Sequence, residues 1–116
     1  MNNAFSGRWC NTSALADLPV KPPVLWLRGD NDQVISDASM FDFGTLGQLG
    51  AVPGWPGPDV FPPQPQLAQT RAMLERYRAG GGSVREQVFE GCGHCPPIER
   101  SAEVRELLLA HVRAAA

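Results

Sequence analysis

Short apolar runs and periodic apolar stripes, separated by segments rich in glycine and proline, predict the regular elements of this chain. Residues 24–27, VLWL, form a continuous apolar run that ends at Gly29 and Asp30 and is too short for a helix. Such a run is typical of a strand buried on both faces of a parallel sheet. Residues 84–90, VREQVFE, alternate in part between apolar and polar positions and predict a second strand.

A helix is predicted after each strand. Within residues 66–79, four side chains recur at spacings of three and four and therefore share one face: Leu67, Thr70, Leu74 and Tyr77. The glycines at residues 80–82 end this helix, because glycine adopts the left-handed cap conformation at little cost. The last helix is expected from an N-cap at Ser101 to about Arg113, with an apolar stripe of Val104, Leu107, Leu108 and Val112.

The order strand, helix, strand, helix predicts an α/β fold, with a β-α-β-α unit whose two strands run parallel. Residues 1–21 precede this unit without a clear period, and we expect an irregular lead-in there. Buried parallel strands need further strands beside them and helices on both faces. The chain supplies few elements for that purpose, so the pattern is typical of the C-terminal end of a larger sheet.

Residues 44–65 lie between the first strand and the first helix, and 11 of these 22 residues are glycine or proline. We expect a long loop with no helix or central strand, because both residue types interrupt these elements. Four aromatic residues in or just before this segment argue against a solvated linker: Phe41, Phe43, Trp55 and Phe61. Their side chains would line a substrate pocket or contact a partner, and the sequence favours neither alternative.

Composition narrows the classes of function. The 116 residues are 43% apolar and 19% charged with a net charge of −2, as expected for one globular domain. The ten Lys and Arg residues are scattered, so we predict no nucleic-acid partner and no membrane-surface partner. No apolar run approaches the roughly 18 residues of a membrane span, and the N-terminal segment lacks the apolar core of a signal peptide. We therefore expect a cytoplasmic protein.

The segment after the second strand, residues 91–95 (GCGHC), has three interpretations. As CGHC it matches the dithiol of disulfide isomerases, but only one helix follows, and Pro96 and Pro97 disfavour a helix that opens at the motif. As a metal site it offers at most three ligands, and a structural zinc needs a further one, usually from a separate cluster. As a loop that carries a catalytic histidine, it fits the end of a parallel strand.

An aspartate-rich turn follows the first strand in the same way. Asp32 and His94 lie 62 positions apart, each soon after a predicted strand, and adjacent parallel strands would bring them side by side. An aspartate that accepts the imidazole N–H of a histidine fixes its tautomer and stabilises the imidazolium, as in a nucleophile–histidine–acid triad. Asp30 is the alternative acid in this turn.

Both turns resemble motifs of the α/β-hydrolase superfamily. The first resembles its Gly-x-x-Asp-x-x-Val pattern at Gly29, Asp32 and Ile35, a spacing that favours Asp32 over Asp30. The second resembles its Gly-x-Gly-His-x-Pro pattern, followed by an acidic residue and a helix, at Gly91, Gly93, His94, Pro96 and Glu99. The resemblance implies that residues 22–116 are the C-terminal portion of an α/β-hydrolase fold, with Asp32 as the triad acid and His94 as the triad base. It implies no cofactor and no metal.

The nucleophile expected from this resemblance is missing. The superfamily carries it in a Gly-x-Ser-x-Gly elbow, and Ser83 comes closest, with Gly81 before it and Arg85 after it. We expect the full-length enzyme to hydrolyse an ester or related acyl bond of a small molecule, and the chain alone to be inactive. Exposed sheet edges would favour self-association of the chain. The alternatives are a CGHC thiol–disulfide redox protein and a non-catalytic interaction fragment.

Overall fold

The computed structural model describes residues 12–115 and places them in a mixed α/β arrangement. In chain order the elements are a 3₁₀ helix Thr12–Asp17, β1 Val24–Gly29, α1 Phe43–Gln48, α2 Gln66–Ala79, β2 Val84–Phe89, α3 Pro96–Glu99 and α4 Ser101–Ala115. The 3₁₀ helix lies within the segment expected to be an irregular lead-in, and the sequence does not predict it. Residues 1–11 of that lead-in lie outside the described residues.

Strands β1 and β2 pair in parallel along their full length, from Val24 opposite Val84 to Gly29 opposite Phe89. The prediction of two adjacent parallel strands is therefore confirmed, and their C-terminal ends lie at the same edge of the sheet. The expectation that β1 is buried on both faces is wrong, because every residue of β1 except Gly29 is only partly buried. In the described part of the chain the sheet has two strands, so β1 has a neighbour on one side.

One face of the sheet packs against α4. A buried cluster joins the two elements: Phe89, Cys92 and Val104, with Leu27 and Leu107 packed against it. The apolar stripe expected on α4 is only half covered, because Leu108 and Val112 are 47% and 64% exposed. No helix within residues 12–115, α4 included, is long and apolar enough to span a membrane.

Helix α2 covers the opposite face of the sheet. Because side chains alternate along a strand, Trp26 and Glu86 point away from α4 and toward α2. Glu86 accepts a hydrogen bond from Arg71 of α2 at 3.1 Å. Leu74 and Tyr77 are buried on the inner side of α2. The bounds of α2 and its buried face agree with the helix predicted from the spacing of apolar residues.

The segment before α2 is more ordered than its glycine and proline content predicts. Helix α1 runs through Gly44 and Gly47, so the prediction that no helix crosses residues 44–65 is wrong. A Cβ at Gly44 would lie 2.4 Å from the Pro62 carbonyl oxygen, and one at Gly47 would lie 2.3 Å from the Trp55 ring. The glycines that disfavour a helix in isolation therefore allow the rest of the segment to pack against it.

The carboxylate of Asp42 organises this segment. Its Oδ2 accepts hydrogen bonds from the Thr45 amide at 2.8 Å, the Thr45 hydroxyl at 2.9 Å and the Gln64 amide at 3.0 Å. Burial raises the pKa of Asp42, but the hydrogen bonds from Thr45 and Gln64 lower it by more, so the pKa lies below its usual 3.8. Asp42 thus caps α1 and joins the two ends of the segment. Phe41 and Phe43 remain exposed, and their contact with a substrate or a partner stays a prediction.

Helix α3 begins at Pro96, directly after the GCGHC loop. The CGHC segment itself is not helical, as Pro96 and Pro97 predict, but the sequence does not predict the separate helix at Pro96–Glu99. Proline is accepted at the first position of a helix, because the N–H that it lacks would have no intrahelical partner there. Cys95, the residue before it, keeps the non-helical angles φ −118° and ψ 66°. Helix α4 follows at once and begins at Ser101.

The edge of β1 that faces away from β2 carries backbone groups without a strand partner in the described part of the chain. In a parallel pair, alternate residues bond to the partner strand. Because the Val24 amide donates to the Ser83 carbonyl at 2.9 Å, the backbone groups of Leu25 and Leu27 point to the opposite side. The charged side chain of β1, Arg28, is paired with Glu86 of β2 at 2.6 Å, so no unpaired charge of β1 protects this edge. We propose that a second copy of the chain pairs with this edge.

Leu25→Pro should weaken self-association, because it deletes an N–H that points outward and leaves the pairing with β2 intact. Trp26→Pro is the matched control, since it deletes an N–H directed at β2 and should unfold the chain. Sedimentation velocity over a concentration series measures the association, and circular dichroism measures the fold. A wild-type chain that stays monomeric, or a folded Leu25→Pro chain that associates as strongly as wild type, would contradict the proposal.

Candidate acid-base site

The turns that follow β1 and β2 lie against each other at one end of the sheet. The Asp30 amide donates to the Phe89 carbonyl at 3.2 Å, and the Asn31 amide donates to the Cys92 carbonyl at 3.0 Å. In the opposite direction, the Gly91 amide donates to Oδ1 of Asp30 at 2.7 Å. These bonds continue the strand pairing into the two turns that carry the predicted site residues.

Gly29, the last residue of β1, determines how closely the two turns approach. It is buried, and a Cβ at this position would lie 2.0 Å from the Cys92 carbonyl oxygen and 2.3 Å from that of Gly93. Both are backbone atoms, so they cannot give way unless the whole loop moves. Gly91 has a φ of 66°, in the left-handed region that glycine adopts without steric cost. Glycine at these two positions therefore lets the histidine loop fold against β1.

Asp32 is held by its own turn and faces His94. Its Oδ1 accepts hydrogen bonds from the Val34 and Ile35 amides at 2.7 and 3.0 Å. Its Oδ2 lies 2.9 Å from Nδ1 of His94, and the side chain of Asp32 is 9% exposed. Burial raises the pKa of Asp32, but the hydrogen bonds from His94, Ile35 and Val34 lower it by more, so the pKa lies below its usual 3.8. The carboxylate is therefore ionised at neutral pH.

The ionised carboxylate determines which ring nitrogen of His94 carries the proton. A carboxylate can only accept hydrogen bonds, so Nδ1 of His94 is the donor and the neutral ring keeps a lone pair on Nε2. The side chain of His94 is 47% exposed, and within residues 12–115 Nε2 has no hydrogen-bond partner. Nε2 is therefore able to accept a proton from an approaching group, while Asp32 stabilises the charge that results.

The structure brings the two predicted site residues together and gives the alternative acid a different contact. Asp30 bonds to the backbone amide of Gly91, and the contact to the ring of His94 comes from Asp32. Two carboxylate contacts at the site are not predicted by the sequence, that of Asp30 and that of Glu99 with the histidine loop. Only the position of each residue in the sequence could have predicted these contacts. Asp30 follows the end of β1, and Glu99 occupies the acidic position of the histidine motif.

The two cysteines of the CGHC segment are both free. Cys92 is 1% exposed. Burial raises the pKa of the Cys92 thiol, and the nearby carboxylate of Glu99 raises it further above the usual 9.0. An activated redox thiol has a lowered pKa, so the surroundings of Cys92 disfavour the dithiol interpretation. In the part of the chain that the structure describes, no group of three or more His, Cys, Asp or Glu side chains is placed to hold a metal ion.

No protein-family model, no curated protein and no solved structure matches the chain. Any function assigned to the chain must therefore follow from its own residues and their geometry.

Gly29→Ala should destabilise the chain by about 1–3 kcal/mol, the usual cost of overpacking. It should also separate Asp32 from His94, because the histidine loop must move to admit the new methyl group. Gly80→Ala is the matched control, since a Cβ there would lie closest to the flexible end of Lys21, at 2.7 Å. Thermal unfolding and the NMR shifts of the His94 ring measure both effects. Equal stability of the two variants would contradict the close approach at Gly29.

Proposed function

We propose that Asp32 and His94 are the acid and the base of a hydrolase with a nucleophile–histidine–aspartate triad. The observation that carries this proposal is the 2.9 Å contact between Oδ2 of Asp32 and Nδ1 of His94. The carboxylate is nearly buried, and the ring presents an unpaired Nε2 within the described part of the chain. Further support comes from the motifs around both residues, which resemble those of the α/β-hydrolase superfamily at adjacent strand ends. The proposed substrate is a small molecule with an ester or related acyl bond.

In the proposed reaction, a hydroxyl or thiol nucleophile loses its proton to Nε2 of His94 as it attacks the acyl carbon. The imidazolium that forms keeps its Nδ1–H bonded to Asp32, whose negative charge stabilises it. His94 then gives the proton to the departing alcohol as the carbon–oxygen bond breaks, and the acyl group stays on the nucleophile. Water then attacks the acyl carbon as it loses a proton to His94. The bond between the acyl carbon and the nucleophile breaks, His94 returns the proton to the nucleophile, and the carboxylic acid leaves. Asp32 gains no proton in any step.

The nucleophile of this reaction is proposed to come from another polypeptide segment. No serine of the chain has glycines two positions before and two positions after it, as the elbow requires. The same segment would supply the backbone donors that stabilise the oxyanion. Asp32 and His94 would then complete a site whose attacking group approaches the exposed ring of His94.

The chain alone should hydrolyse p-nitrophenyl esters no faster than free imidazole at the same concentration. An acid–base pair without a nucleophile and oxyanion donors leaves most of the barrier in place. The release of p-nitrophenolate measures the rate, and His94→Ala gives the background without the base. Robust turnover by the wild-type chain that disappears in His94→Ala would mean that the chain holds its own nucleophile. This result would contradict the proposal that the nucleophile comes from another segment.

The contribution of Asp32 to the base is measured in the same chain by modification with diethyl pyrocarbonate, which acylates an unprotonated ring nitrogen. Asp32→Asn should slow the modification of His94, because the amide no longer directs the lone pair to Nε2 and no longer stabilises positive charge on the ring. His111, the other histidine of the chain, is the internal control and should react at an unchanged rate. Unchanged modification of His94 would contradict the proposed pairing.

A further inference from the structure

One carboxylate accepts hydrogen bonds from the histidine loop on both sides of His94. Glu99, the last residue of α3, accepts a hydrogen bond from the Gly93 amide through both oxygens, at 3.1 Å to Oε1 and 2.9 Å to Oε2. Its Oε1 also accepts a hydrogen bond from the Cys95 amide at 3.3 Å. Gly93 and Cys95 are the immediate neighbours of His94, so the backbone is tied to the same side chain just before and just after the histidine.

Helix α3 explains why Glu99 reaches the loop. The amides of Ile98 and Glu99 donate to the Cys95 carbonyl at 2.9 and 3.0 Å, which closes one helical turn directly after the loop. Glycine at position 93 leaves room for the carboxylate, since a Cβ there would lie 3.1 Å from Oε1 of Glu99. The hydrogen bond from Gly93 lowers the pKa of Glu99 by more than burial raises it. Glu99 is therefore ionised at neutral pH, and an ionised acceptor makes the stronger hydrogen bonds.

Apart from the contact of Asp32 with the ring of His94, the contacts between the histidine loop and the turn after β1 lie on the N-terminal side of His94. Asp30 accepts from the Gly91 amide, and the Asn31 amide donates to the Cys92 carbonyl. These contacts hold the loop against β1, but they leave the chain after the histidine untouched. Glu99 adds a side-chain contact beyond His94, within the residues that the structure describes.

We infer that Glu99 is a positioning residue for His94, an inference that rests on the proposed function. With the backbone held on both sides, the ring of His94 is directed so that Nδ1 meets Oδ2 of Asp32 and Nε2 keeps its lone pair for the reaction. Glu99 acts through backbone amides, so its effect on the proton transfer passes through the orientation of His94. Its removal should break the contact between Asp32 and His94 although both residues remain in the chain.

Solution NMR of the full chain tests this inference. An Nδ1–H bonded to a carboxylate exchanges slowly with water and gives a separate downfield proton signal, and His111→Gln removes the competing signals of the other histidine. Glu99→Ala deletes the carboxylate, and Glu99→Asp keeps the charge but shortens the side chain. Glu99→Gln keeps an oxygen at the position of Oε1, which accepts from both amides, but replaces Oε2, 2.9 Å from the Gly93 nitrogen, by an NH2 donor. Glu103→Ala is the matched control, because it removes an exposed carboxylate from α4.

The wild-type chain and Glu103→Ala should show the Nδ1–H signal of His94, Glu99→Ala and Glu99→Asp should lose it, and Glu99→Gln should keep it at reduced intensity. Circular dichroism shows whether each variant is folded, and Glu99→Asp decides the test if Glu99→Ala does not fold. A signal of wild-type intensity in the folded Glu99→Ala or Glu99→Asp chain would overturn the inference and leave the proposed function standing. Absence of the signal from the wild-type chain would overturn the proposed function and this inference with it.

Discussion

The parallel pairing of β1 with β2 is the constraint on which the candidate site depends, because parallel strands end at the same edge of a sheet. Asp32 and His94 are 62 positions apart, with α2 between them, and they meet because each follows a strand end. A shift of the pairing by one residue would exchange the inward and outward side chains of a strand and move one turn along the other. Gly29 has no side chain, which allows the backbone of the histidine loop to lie directly against the end of β1.

Carboxylates replace regular secondary structure in holding the loops of this chain. Amides in loops and in the first turn of a helix have no ladder or helix partner, and amides without partners are costly when buried. Five carboxylates accept hydrogen bonds from such amides: Asp30 from Gly91, Asp32 from Val34 and Ile35, Asp37 from Ala68, Asp42 from Thr45 and Gln64, and Glu99 from Gly93 and Cys95. Asp32 differs from the others because its second oxygen is directed at a histidine ring. Hydrogen bonds from backbone amides to carboxylates therefore stabilise the loops and also orient the candidate acid, Asp32.

Local periodicity and strand-end topology were sufficient to predict α2, the two strands and the approach of the aspartate-rich turn to the histidine loop. The choice of Asp32 over Asp30 came from the resemblance of the first turn to the α/β-hydrolase motif. Helix α1 could not be predicted, because Gly44 and Gly47 disfavour a helix until the packing of distant residues against them is known. Helix α3 spans only four residues, too few for a periodic apolar pattern, so the sequence does not predict it although proline is accepted at its first position. The role of Glu99 depends on that helix, since one helical turn brings its carboxylate back to the loop. The position of α1 and the role of Glu99 thus depend on contacts between segments, which residue preferences alone do not predict.

A double-mutant cycle on Asp32 and His94 measures most directly whether these side chains share a hydrogen bond in solution. The free energies of unfolding of the wild type, Asp32→Ala, His94→Ala and the double variant are obtained by urea denaturation at neutral pH, at a concentration where the chain is monomeric. The contact at 2.9 Å predicts a favourable coupling between about 0.5 and 3 kcal/mol. Additive effects, within about 0.3 kcal/mol, would mean that the carboxylate and the imidazole act independently and would contradict the site described here.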